Sequence, residues 1–146
     1  MVSELLDNDG SEVVDPQGGS SFAVSHLRLV YEYGERDSGG ALRVYEHVSG
    51  ARIVGASMPE RLIKFSLRLR TAAGREFTYR ASTYTDPYRG NYEIRLPYST
   101  LETKRECFVE PLGSWQVECE DEVVTLDFPD WKARDGGQVI APGFCF

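Results

Sequence analysis

Hydrophobic and polar residues alternate with a period of two along most of the chain from residue 22 onward. The alternation is clearest over residues 61–71. Successive side chains of a β-strand point to opposite faces, so this spacing predicts a strand with one buried and one solvent face. The residues expected on the buried face are Ile63, Phe65, Leu67 and Leu69, and those expected on the solvent face are Lys64, Ser66, Arg68 and Arg70.

The same pattern recurs in about eight segments separated by turn residues, and no amphipathic helical pattern of any length accompanies them. The predicted strands are 22–33, 42–54 with an interruption at Ser49 and Gly50, 61–71, 76–84, 92–96, 114–119, 123–128 and 138–140. Sheets with one buried and one wet face pack against each other or close on themselves. We therefore predict an all-β fold, an antiparallel β-sandwich, with a partly open barrel as the alternative.

The N-terminal residues differ from the rest because turn and linker residues dominate them. Runs such as Asp7–Ser11 and Pro16–Ser21 are typical of loops. With 146 residues the chain has the length of one domain. We predict an arm at residues 1–21 and a β-sandwich domain at residues 22–146.

Charge and hydropathy exclude several classes of partner. The net charge is −7, from 16 basic and 23 acidic residues, and phosphate recognition relies instead on clustered Lys and Arg. We therefore expect no nucleic acid partner. Uncharged apolar runs are only a few residues long, so we expect no membrane span in this chain. No secretory signal pattern opens the sequence.

Three cysteines, Cys107, Cys119 and Cys145, are an odd number and lack the CxxC spacing of zinc and redox sites. Cys107 and Cys119 flank a turn-rich stretch and could form a disulfide across a hairpin. The alternative is that all three are buried, inert thiols.

Recognisable catalytic patterns are missing from the sequence. His26 and His47 are the only histidines, both on predicted strands and on a solvent or edge face, and a metal site would require further converging ligands. No G-x-S-x-G elbow or glycine-rich phosphate loop is present. We predict no catalytic residue, no metal ligand and no cofactor in this chain.

Surface aromatic residues are the remaining candidates for binding. Tyr84, Tyr88, Tyr92, Tyr98 and Trp131 could stack against sugar rings, although aromatic residues are also common in β-cores.

The turn at residues 86–90 has two interpretations. Structurally, Pro87 would take the first corner and Gly90 the residue with positive φ, joining antiparallel strands that pair Tyr84 with Ile94. Functionally, the turn would be a recognition loop. The candidate binding residues are therefore Asp86, Tyr88, Arg89 and, separately, Trp131.

Three segments taken in order resemble a known family. They are HLRLVYE at 26–32, LRVYEHVSGARI at 42–53 and NYEIRLPYST at 91–100. Together they are similar to the extracytoplasmic C-terminal region of archaeal single-subunit oligosaccharyltransferases, with Leu27 where the family usually has Phe. The resemblance covers roughly residues 1–140.

The resemblance implies a part in protein N-glycosylation. These enzymes transfer a lipid-linked oligosaccharide to Asn in N-x-Ser/Thr sequons at the extracytoplasmic face of the cell membrane. Their catalytic acids and divalent metal belong to the membrane-spanning part, and a W-W-D-Y-G motif in another part helps to hold the sequon. Neither is found here, since Trp115 and Trp131 each stand alone. No catalytic or metal residue is carried over.

A second resemblance concerns the fold. Residues 50–55 (GARIVG), with Thr85-Asp86 and Gly90-Asn91-Tyr92, resemble carboxypeptidase-regulatory-like sandwiches of the prealbumin type. The expected function is that of a non-catalytic peripheral β-domain of an archaeal oligosaccharyltransferase, inactive on its own. Its expected partner is the rest of that enzyme or another surface protein, with a glycan as a further candidate. The alternative is a stand-alone extracellular carbohydrate- or protein-binding module.

Overall fold

The computed structural model describes residues 13–14, 20–21, 24–33, 42–101 and 109–143. Strands dominate this part of the chain, and one short helix accompanies them, so the all-β prediction is confirmed. The strands are β1 (Val13–Val14), β2 (Ser20–Ser21), β3 (Leu27–Tyr33), β4 (Leu42–His47), β5 (Ala51–Ala56), β6 (Leu62–Thr71), β7 (Glu76–Tyr84), β8 (Asn91–Leu96), β9 (Val109–Pro111), β10 (Trp115–Cys119), β11 (Glu122–Leu126) and β12 (Gln138–Ile140), and the helix is α1 (Asp130–Asp135).

The largest sheet has five strands with β6 at its centre. β7 pairs with one edge of β6, while β10 and β9 pair with the two ends of its other edge and β11 pairs with β10. The inward residues Phe65, Leu67 and Leu69 are each 1% exposed, and Arg68 and Arg70 face solvent. The register predicted from the alternation of β6 is confirmed.

A three-stranded sheet of β12, β5 and β8 forms a second layer. β8 runs antiparallel to β5, and β12 runs parallel to it. The Phe65 ring of β6 lies 6.3 Å from the Tyr92 ring of β8, so side chains of the two sheets meet in one core. The antiparallel-dominated, sandwich-like fold is confirmed, and the described strands form no closed barrel.

The turn at residues 86–90 joins different strands from those predicted. β7 pairs with β6 and β8 pairs with β5, so Tyr84 and Ile94 do not pair with each other. The predicted hairpin is therefore wrong, and the loop instead carries the chain from one sheet to the other. Two consecutive strands with a short turn can pair or change sheets, and local sequence does not distinguish the two.

The β3–β4 hairpin forms a separate two-stranded sheet that packs on the core through Leu29. Its register shifts between Leu29 and Tyr31, which places a β-bulge at Val30. Strict alternation would place Leu29 and Tyr33 on one face of β3 and Arg28 and Glu32 on the other. The bulge instead brings Glu32 to the buried face of Leu29 and leaves Tyr33 exposed on the opposite face. Arg28 precedes the bulge and stays opposite Leu29, and it is buried as well.

Helix α1 is absent from the sequence-based prediction because it has only six residues. Pro129 precedes it in an extended conformation, Asp130 lies in its first turn and Gly136 ends it in the left-handed region with φ 77°. Proline before a helix and glycine after it are ordinary boundary signals. The helix brings Asp130 and Ala133 into the core.

The N-terminal residues include one small pairing. β1 and β2 are antiparallel partners, and both lie within residues 1–21. The division into an arm and a domain at residue 21 stays a prediction. No helix among the described residues has the length and apolar character required to cross a membrane.

Candidate functional site

The candidate loop at residues 86–90 is closed by its own aspartate. The Asp86 carboxylate accepts hydrogen bonds from the backbone N–H groups of Tyr88, at 2.8 Å, and Arg89, at 2.7 Å. These N–H groups hold the pKa of Asp86 below its usual value. Gly90 has φ 73°, and a Cβ there would collide with the backbone oxygen of Ser57. The loop is therefore a rigid turn that presents the Tyr88 side chain, 89% exposed, to solvent.

Trp131 lies on α1, half exposed, with the Lys132 Nζ 4.8 Å from its ring centroid. Backbone hydrogen bonds place α1 beside Gly50, before β5 begins, whereas Gly90 bonds to Ser57, after β5 ends. Five residue steps along β5 correspond to about 17 Å. The structure therefore keeps Trp131 apart from the loop, and the four candidate residues do not form one site.

The other aromatic candidates divide between core and surface. Tyr92 and Tyr98 are buried, and burial raises the pKa of the Tyr92 hydroxyl. Tyr84 is exposed on the outer face of β7. The core interpretation therefore holds for Tyr92 and Tyr98.

The most elaborate polar arrangement was not predicted, and Arg28 of β3 is its centre. Its Nη1 donates to Asp130 Oδ1 at 2.8 Å, and its Nη2 lies 2.9 Å from Glu46 Oε2. Ser99 Oγ donates to the same Asp130 oxygen at 3.3 Å. Burial opposes the charge of Arg28 and lowers its pKa, but hydrogen bonds and charge from Asp130 and Glu46 outweigh burial and raise it. Arg28 is therefore a buried, permanently charged anchor for the hairpin.

Tyr98 forms a second tie beside this anchor. Its hydroxyl accepts the backbone N–H of Leu29 at 2.8 Å, and its carbonyl accepts Trp115 Nε1–H at 2.9 Å. Residues 26–32, 42–53 and 91–100 thus meet at one junction of β3, β4 and the segment after β8. We call this meeting point, formed by Arg28, Glu46, Tyr98, Ser99 and Asp130, the hairpin junction.

Glu32 ties the far end of β3 to the large sheet. Its carboxylate accepts from Arg75 Nε at 2.9 and 3.0 Å and from Arg43 Nε at 3.1 Å. Burial would raise the pKa of Glu32, but Arg75 above all, helped by Arg43, lowers it overall. The contact with Arg75, together with the Arg28–Asp130 contact, thus holds the hairpin in place on the body of the domain, whereas Arg43 lies within the hairpin.

One face of the anchored hairpin exposes large apolar side chains. Tyr33 is 66% exposed, Leu42 57% and Val44 43%, and Tyr33 lies opposite Leu42 in the strand register. We call Tyr33, Leu42 and Val44 the apolar stripe. Exposed apolar residues scattered singly are ordinary, but a contiguous group is a feature of interaction surfaces.

Metal ligands do not converge in the described part of the chain. The rings of His26 and His47 stack at 6.2 Å on the exposed side of the hairpin. Within the residues described, no group of three or more His, Cys, Asp or Glu side chains could hold a metal ion.

Cys119 is disulfide-bonded. Cys107 and Cys145 lie outside the described residues, so the pairing of Cys119 with Cys107 stays a prediction.

Comparison with protein families gives one match. The model of the archaeal glycosylation protein B long peripheral domain matches residues 50–140, which is more than half of the chain. No curated protein sequence matches the chain significantly.

Two solved structures share the fold over nearly the whole chain. The Archaeoglobus fulgidus oligosaccharyltransferase in complex with Zn and sulfate is 14% identical, with a TM-score of 0.78 over 97% of this chain and 24% of that one. The archaeal oligosaccharyltransferase of A. fulgidus in complex with an inhibitory peptide and a dolichol-phosphate is 12% identical, with a TM-score of 0.67 over 100% of this chain and 28% of that one. The chain thus spans about a quarter of the length of these two structures.

Proposed function

The chain belongs to the family of archaeal glycosylation protein B long peripheral domains, and from this membership we propose that it is a non-catalytic β-domain that supports protein N-glycosylation by an archaeal oligosaccharyltransferase. One observation carries the proposal. The match to the A. fulgidus enzyme covers 97% of this chain and 24% of that enzyme. A fold that is part of a larger enzyme there is expected to work against the rest of such an enzyme here.

In this proposal the chemistry belongs to other parts of the enzyme. The W-W-D-Y-G motif is not in the sequence, and the described residues bring no metal-ligand group together. A divalent metal used by the complete enzyme would be bound outside this chain. The task left to this domain is structural, namely to pack on or near the domain that binds the acceptor sequon.

The surface that would make this contact is the apolar stripe. Tyr33, Leu42 and Val44 lie on a two-stranded hairpin that is held to the body of the domain by buried charges. A rigid, exposed apolar surface on a domain whose match covers a quarter of the A. fulgidus enzyme is suited to burial against the remaining part of such an enzyme. We assign the rest of the enzyme as the occupant of this stripe.

The proposed location is the extracytoplasmic face of the cell membrane, where the resembled enzymes act. The disulfide at Cys119 supports this side, since disulfides form and persist in oxidising compartments. The alternative of a stand-alone carbohydrate- or protein-binding module is not favoured, because a peripheral-domain family accounts for more than half of the chain.

The first test concerns activity. The purified chain should transfer no oligosaccharide to a sequon peptide, with or without Mn²⁺, when product is measured by mass spectrometry. Glycopeptide formed by the chain alone would overturn the non-catalytic assignment.

The second test concerns the stripe, with the remaining extracytoplasmic region of the enzyme, produced without this domain, as the probe. Leu42→Lys and Val44→Lys should each weaken co-elution by about tenfold or more, because burying one such side chain contributes ~1.5–3 kcal/mol. Val123→Lys is the matched control, since Val123 is 56% exposed on β11. Equal weakening by all three variants, or by none, would contradict the assignment of the stripe.

A further inference from the structure

The solvent face of the large sheet carries a groove of about 340 Å³ on the side opposite the core. Residues of three adjacent strands and of the turn before β10 line it. The polar side chains among them are Ser66, Arg68, Thr78, Arg80, Ser114 and Gln116. Its size is at the lower end of the range for small-molecule sites.

The groove is basic although the chain is acidic. Two guanidinium groups and no carboxylate line it, in a protein of net charge −7. Arg68 lies opposite Thr78 and Arg80 opposite Ser66, so the two arginines are diagonal neighbours on one face. Such neighbours stand about 7–8 Å apart, a spacing that lets two guanidinium groups approach one anion from both sides.

The remaining polar groups suit a sugar. Hydroxyls of Ser66 and Thr78 and the amide of Gln116 can both donate and accept hydrogen bonds, as sugar hydroxyls require. Arginine binds carboxylates in a planar, two-point geometry. We propose that this groove binds a carboxylate-bearing sugar unit, a hexuronate, with Arg68 and Arg80 on the carboxylate.

An existing ion pair must yield to such a ligand. Arg68 Nη2 donates to Glu76 Oε2 at 3.0 Å, and both side chains are largely exposed, at 67% and 46%. Exposed pairs contribute little to stability, so a ligand carboxylate can displace Glu76. The groove lies on the face of the sheet opposite the core. The proposal that it binds a ligand does not depend on the proposed role of the domain in the enzyme.

The experiment is an NMR titration of the isotope-labelled chain with D-glucuronate, D-glucose and sulfate. Glucuronate should cause saturable chemical-shift changes at the backbone amides of the groove residues. Glucose should cause no such changes, and sulfate should cause weaker ones. The absence of saturable shifts with glucuronate would overturn the proposal. Equal binding of glucose, or of sulfate, would also overturn it, by identifying a neutral-sugar site or a bare anion site.

Three variants test the residues. Arg68→Ala and Arg80→Ala should each weaken glucuronate binding by about tenfold, the loss expected for one charge-assisted contact. Arg52→Ala is the matched control, because the exposed side chain of Arg52 lies on the other sheet, pairs with Glu93 and does not line the groove. Similar weakening by all three would show unspecific attraction and refute the site. If an alanine variant fails to fold, Arg68→Lys keeps the charge without the two-point geometry and should still weaken binding.

Discussion

Arg28 of β3 and Asp130 of α1 form a buried ion pair, 2.8 Å from Nη1 to Oδ1, between residues 102 positions apart in the sequence. The two side chains are 5% and 6% exposed. Each needs the other, because a buried charge without a partner is strongly destabilising. The pair fixes the β3–β4 hairpin, and with it the apolar stripe, to the core of the domain.

Removal of Arg28 should therefore be costly. Arg28→Ala leaves the Asp130 carboxylate buried without its cation, and we expect a loss of ~3–5 kcal/mol in the free energy of unfolding. Chemical denaturation measures this loss. Arg52→Ala is the control, since Arg52 pairs with Glu93 on the solvent side. Its free energy of unfolding should stay close to that of wild type. Equal unfolding curves for wild type and Arg28→Ala would contradict the anchoring role.

The tie at Glu32 should make stability depend on pH. Its folded-state pKa is lowered, so its contribution is fully present above the unfolded value of about 4.3 and is lost as the pH falls through the lower folded-state value. Glu32→Gln should be less stable than wild type near neutral pH, and the difference should shrink below about pH 4. Melting temperatures across the pH range measure it. Glu118→Gln is the control, since it removes one exposed charge. A melting-temperature difference between Glu32→Gln and wild type that stays constant across the pH range would contradict the tie.

The two faces of β6 should respond very differently to truncation. Phe65→Ala removes a ring that is 1% exposed and contacts Tyr92, and should cost ~3–5 kcal/mol. Arg68→Ala, on the opposite face, should cost less than ~1 kcal/mol. Thermal melts of the two variants compare them directly, and equal losses would refute the register of the strand.

The turn before β8 should be sensitive at its glycine. Gly90→Val forces a branched residue into positive φ and against the Ser57 carbonyl, so we expect a loss of at least ~1 kcal/mol. Tyr88→Ala removes an exposed ring and should leave stability nearly unchanged. The opposite result would identify the loop as a recognition element: Gly90→Val without effect on stability, and Tyr88→Ala that abolishes binding to a glycan or to the proposed partner domain.

Local patterns in the sequence predicted the parts of the fold that depend on neighbouring residues. The alternation of β6 follows from side chains that point to opposite faces, and Gly90 takes positive φ because it has no Cβ. The three motifs predicted the family, since a few residues in a set order are specific when taken together. The candidate loop was recognised as a turn for the same local reasons.

Contacts between distant segments were decided by the tertiary structure. The bulge at Val30 reverses the faces of the part of β3 that follows it, which turns Glu32 inward and Tyr33 outward, and no periodicity of one strand reveals this. The partner of Arg28 is Asp130, on a helix too short for a periodic signal. Likewise, whether β7 pairs with β8 or with β6 depends on which apolar faces bury more surface together. The sequence by itself determined the strands and the family, whereas the buried charges, the exposed stripe and the groove arise only when those strands pack.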